Sequence, residues 1–66
     1  MVKIFAAWQP SFLEAVEEVQ RQFDAWAEEH DPIVYPIVSI TTTHQVVILQ
    51  DNPRHYYTLT VLCTVA

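Results

Sequence analysis

The chain has 66 residues, which allows one domain, residues 1–66, and its single cysteine, Cys63, excludes an internal disulfide as the staple that so small a core usually needs. The net charge of −5 comes from one segment, where Glu14, Glu17, Glu18, Asp24, Glu28 and Glu29 face only Arg21. Elsewhere Asp31 and Asp51 offset Lys3 and Arg54, so no basic patch exists for a nucleic-acid backbone.

Val2–Ala7 alternates as a short first strand, with Val2, Ile4 and Ala6 on one face and Lys3, Phe5 and Ala7 on the other. Pro10 and Ser11 open a helix, and Ser11 followed by Glu14 has the capping-box spacing. Phe12, Val16, Val19, Phe23 and Trp26 recur at steps of four and three and form its apolar stripe, which Leu13 and Ala27 widen. The acids take the opposite face, and Glu17 stands one turn before Arg21 for an ion pair. Asp31-Pro32 stops the helix.

Ile33–Gln50 is rich in β-branched residues and reads as one long second strand, which Thr41–Gln45 could bulge, bend or divide into two shorter ones. Asp51-Asn52-Pro53-Arg54 supplies turn formers in series. The last strand runs from His55 to about Val65, with Tyr57, Leu59, Val61, Cys63 and Val65 on a core face and Tyr56, Thr58, Thr60, Leu62 and Thr64 on a semi-polar one. A helix between the first two strands and a hairpin between the last two predict an α+β, β-α-β-β domain. Its one amphipathic helix packs on a three-stranded antiparallel sheet of order 1-3-2. The helix covers one sheet face, and nothing in the chain remains for the other, so homo-oligomerisation is expected to complete the fold.

Catalytic and metal-ligating patterns are missing. His30, His44 and His55 are far apart in sequence, without the tight pairing that metal sites favour. Cys63 falls on the core face, where a thiol is inert, and the chain has no glycine for a nucleophile elbow or a phosphate-cradling loop. The expectation is a non-enzyme without a metal. No apolar run reaches the ~20 residues of a membrane-spanning helix. The lone thiol and the lack of a signal peptide fit a cytoplasmic setting.

Aromatic residues beside cations are the candidate binding groups: Trp8, Tyr35, Tyr56 and Tyr57 with Arg54, His55 and His44. Such a set can stack on a flat ring and meet an anionic group. The same aromatics also suit a core or a subunit interface. The functional expectation is homo-oligomeric binding or sequestration of a small, flat, nucleotide-like ligand, as in a storage protein or a viral decoy for a signalling nucleotide. The alternative is a protein-interaction module that docks a target through the open sheet face or edge.

Ser11-Phe12 at the helix start, Ile33-Val34-Tyr35 entering the second strand and Arg54-His55-Tyr56 opening the third resemble segments of dodecins, β-α-β-β proteins that assemble into hollow shells binding flavins. That resemblance implies flavin as the ligand, with Tyr35 at the position of the aromatic residue, usually tryptophan, that stacks on the flavin. Tyr57 stands where dodecins place a glutamine that helps hold the ring, and the family's second-strand glycine is missing. The opening Met1-Val2-Lys3-Ile4-Phe5, the acidic helix and the apolar last strand also resemble small sporulation-annotated proteins of similar length.

Overall fold

The computed structural model describes residues 1–31 and 33–64. They form β1 (Val2–Gln9), α1 (Phe12–Glu29), β2 (Ile37–Leu49) and β3 (Asn52–Cys63), in one antiparallel sheet of order β1-β3-β2. This is the expected β-α-β-β architecture. The expected Pro32 stop and the core position Val65 lie outside the described residues.

α1 begins where the capping signal lies. Ser11 is extended (φ −130°, ψ 155°) and its side chain accepts a hydrogen bond from the Glu14 amide at 3.2 Å. At the other end the His30 amide donates to the Ala27 carbonyl, and no basic residue offsets Glu28 and Glu29. The ion pair expected from Glu17 forms instead between Arg21 and Glu18. Spacings of three and four residues both bring side chains together on a helix, and Glu18 is also steered by the Gln22 amide. Leu13 does not widen the buried stripe and is 66% exposed. At about 100° per residue it lies roughly 160° around the helix from Ala15, the most deeply buried helical residue.

Three strand boundaries differ from expectation. β1 runs two residues further, to Gln9, which pairs with His55. β2 starts at Ile37 rather than Ile33, because Asp31 organises a turn before it: its carboxylate accepts from the Ile33 amide at 2.9 Å, and its carbonyl accepts from the Val34 and Tyr35 amides. The hairpin turn is the two-residue Gln50-Asp51, both at positive φ (50° and 65°), closed by the Leu49↔Asn52 pair. A two-residue loop with both φ positive matches the twist of its flanking strands. Asn52, Pro53 and Arg54 therefore belong to β3. Proline is tolerated at position 53 because β1 ends opposite His55, leaving β3 only one neighbour there.

β2 is a single long strand through Thr41–Gln45. Its register shift falls between Ile37 and Ser39. The pairings fix two sheet faces. Lys3, Phe5 and Ala7, the odd residues of β3, and Ile40, Thr42, His44, Val46 and Ile48 share the helix side. Val2, Ile4, Trp8, the even residues of β3, and Thr41, Thr43, Gln45 and Val47 share the open side.

The core lies between α1 and the β1–β3 pair: Phe5, Ala7, Ala15, Val19, Val61 and Cys63 are buried. Phe23, Trp26, Tyr35, Tyr57 and Leu59 pack against it. The helix packs on β1 and β3 and reaches β2 only through Phe12, whose ring lies on His44. The expected coverage of one face is thus two strands wide, and β2 is otherwise uncovered on both sides. Ile40, Val46 and Ile48 remain exposed on the side the helix occupies.

Candidate functional site

Strand alternation divides the seven candidate binding residues into three groups. Arg54 and Tyr56 point to the open side, and His55 and Tyr57 to the helix side, because neighbours in a strand face opposite ways. A run of four that looks like one cluster in the sequence serves two surfaces.

On the open side Trp8 and Tyr56 form one rung, and their ring centroids are 5.9 Å apart at 56°. Trp8 is 45% and Tyr56 37% exposed, so both rings offer area to a ligand. Arg54 follows two residues before Tyr56 on the same face and pairs with Val47. The sole ion pair among the described residues is Arg21–Glu18, so the Arg54 guanidinium is not neutralised by a carboxylate. Its hydrogen bond is to the Pro53 carbonyl, at 3.4 Å. Register adds Gln45, opposite Tyr56, as a neighbour that the sequence did not single out. One rung further in, the Thr43 and Thr58 hydroxyls hydrogen-bond to each other across β2 and β3.

On the helix side His44, His55 and Tyr57 meet under Phe12, the first residue of α1. The Phe12 and His44 centroids are 4.2 Å apart, and Phe12 meets Tyr57 edge-on at 5.7 Å. The two imidazoles meet edge to edge with their planes 15° apart, His44 Nε2 and His55 Nδ1 being 2.9 Å from each other. That hydrogen bond needs one donor and one acceptor, so at least one ring is neutral. His44 pairs with Tyr57 and His55 with Val46, which makes the histidines diagonal neighbours across the hairpin. Phe12 reads in the sequence as part of the helical stripe. Only the docking of the helix start over the β2–β3 hairpin places its ring on these histidines.

Tyr35 belongs to neither group. It meets His30 edge-on at 5.1 Å, and His30 stacks on Trp26 at 4.6 Å while its Nδ1 donates to the Trp26 carbonyl. Tyr35 precedes the Ile37↔Cys63 pair, whereas Trp8 pairs with Tyr56. Seven residues of β3 separate Cys63 from Tyr56, about 23 Å at ~3.3 Å per residue.

Two of the other reactive groups are committed, while Ser39 is exposed on β2. The Ser11 hydroxyl caps the helix, and Cys63 is buried at 3% exposure. The described residues enclose no pocket and gather no trio of His, Cys, Asp or Glu. No described helix is long and apolar enough to cross a membrane. The molecule is a small α+β domain with a surface aromatic–cation patch on the open side of its sheet. No protein-family model, curated protein or solved structure matches the chain.

Proposed function

We propose that the protein is a non-catalytic, homo-oligomeric binder of a small planar anionic ligand, held on the open side of the sheet. The observation that carries this is the Trp8–Tyr56 ring pair beside Arg54 on one exposed face. Two exposed rings supply stacking area, and a guanidinium without a carboxylate partner supplies charge-assisted hydrogen bonds to a phosphate or similar anion. A nucleotide or flavin mononucleotide has both parts, and the likeness to dodecins favours testing flavins first. Sequestration is favoured over catalysis because neither Ser11 nor Cys63 is free to act as a nucleophile, and the exposed Ser39 has no base hydrogen-bonded to it among the described residues. The buried, unpaired thiol suits a cytoplasmic setting.

Isothermal titration against flavins and cyclic nucleotides tests this. One ligand is expected to bind at micromolar affinity, and Arg54→Ala is expected to weaken it by about tenfold or more, the value of one hydrogen bond to a charged group. Trp8→Ala has the same direction. Absence of any binder in this panel, or Arg54→Ala binding like the parent, contradicts the proposal. Protein docking is the alternative function, and the free outer edge of β2 favours it. A stoichiometric complex with one protein target, combined with indifference to every small ligand, would select it.

A further inference from the structure

We infer that β2 pairs antiparallel with β2 of a second copy about a two-fold axis at Thr43, joining two three-stranded sheets into one of six strands. This deepens the self-association in the proposed function and does not depend on the ligand. β2 is an edge strand, since the sheet order is β1-β3-β2. Its 13 residues span about 44 Å at ~3.4 Å each, close to the full 47 Å length of the molecule. Edges that must stay unpaired are usually blunted by charge or proline. Ile37–Leu49 contains neither a charged residue nor a proline. The other edge, β1, is shorter, carries Lys3 and is followed by Pro10.

The strand is also nearly palindromic in polarity about its middle residue, Thr43. Full-length antiparallel overlap places Thr43 opposite Thr43, and Thr42 and Thr41 opposite His44 and Gln45 of the second copy. It places Ile40 opposite Val46, Val38 opposite Ile48 and Ile37 opposite Leu49. The register that forms the most backbone hydrogen bonds therefore also matches polar with polar and apolar with apolar at every pair except Ser39 opposite Val47. Each of these apolar residues is exposed in the single chain. α1 lies over β1 and β3 and covers β2 only with the Phe12 ring at His44, so the outer edge of β2 stays open on the helix side. The acids of α1 stand away from an uncharged seam, so joining the strands brings no charged pair together there.

Stable interfaces bury roughly 800 Å² per partner, about a sixth of the 4656 Å² surface of this chain. A strip along the whole molecule, covered only by the Phe12 ring at His44, supplies an area of that order.

The test uses the full chain. Thr43→Cys is compared with Thr41→Cys and Gln45→Cys under mild oxidation, and association is followed by sedimentation. Thr43→Cys is expected to cross-link at least tenfold faster than the other two, because only position 43 faces itself. Val46→Lys, at a site half-exposed in the single chain, is expected to raise the dimer dissociation constant at least tenfold while its circular dichroism keeps the α+β spectrum. A parent chain that stays monomeric overturns the inference, as does equal cross-linking of the three cysteine variants or an unchanged Val46→Lys dimer. A monomer that instead takes a foreign strand along β2 also overturns it. A dimer that binds no small ligand leaves this inference standing and removes the ligand, whereas a ligand-binding monomer does the reverse.

Discussion

Phe5 joins the strand layer to the helix layer. Its ring meets Phe23 edge-on at 5.8 Å and Trp26 at 5.9 Å, while the Lys3 ammonium lies 5.7 Å from its face. Removing a buried phenylalanine costs about 3–5 kcal/mol. A domain of this length has a total stability of only about 3–10 kcal/mol. Phe5→Ala is therefore expected to leave a large unfolded fraction in dilute buffer, measured as a loss of the folded baseline in urea titration. The neighbouring Ile4→Ala faces the open side and is 62% exposed, so its midpoint is expected to move little. The alternation in Val2–Ala7 makes this contrast legible in the sequence. It does not reveal which of two apolar faces the helix chooses. That follows from the pairing of Phe5 with Leu59 and of Ala7 with Tyr57, on the side where Val61 and Cys63 are buried.

Among the elements, α1 is tied to β1 by Gln22, whose amide donates to the Ala6 carbonyl at 3.0 Å and also to Glu18 at 3.3 Å. The Gln22 amide first, and the Arg21 guanidinium second, hold the Glu18 carboxyl below its ordinary pKa. A carboxyl lowered by folding contributes stability above its unfolded pKa and loses that contribution as pH falls through its folded value. Glu18→Gln is thus expected to be slightly less stable than the parent at pH 7, with the difference closing below about pH 4, near and under the ordinary glutamate range. Urea midpoints across pH check this, and a gap that widens in acid would contradict it. The effect is small because the pair is exposed to solvent.

The helix was legible from Ser11, Glu14 and its apolar spacing, and β3 from the strict alternation of Tyr57 to Cys63. The hairpin turn was not. Gln50-Asp51 adopts positive φ without the glycine or asparagine that normally marks such a turn, while Asp51-Asn52-Pro53 offers a stronger local turn pattern. Pairing Leu49 with Asn52 and Ile48 with Pro53 outweighs that local preference. The candidate site was legible in residue type only. Register alone separates Arg54 and Tyr56 from His55 and Tyr57, and only the tertiary fold adds Phe12 and sets Tyr35 apart.

At the scale of the whole molecule, the shape itself is unfinished. The radius of gyration is 13.7 Å, against about 11 Å for a compact domain of this length. Six apolar residues are buried, while sixteen large ones are exposed among the described residues. The helix covers two strands of three, and the hairpin end of β2 and β3 extends past the end of β1. Chain length alone suggested that a partner subunit completes this fold, and the open sheet face was the expected contact. The structure draws attention instead to β2, covered only by the Phe12 ring at His44 and free along its outer edge, and leaves the open face with Trp8, Tyr56 and Arg54 to a ligand. Self-association is the claim on which the rest depends. The most direct measurement is the solution mass of the unmodified chain by light scattering or sedimentation equilibrium over a wide concentration range. The predicted result is an even multiple of 7.7 kDa, persisting to micromolar concentration. A single 7.7 kDa species at every concentration would contradict it.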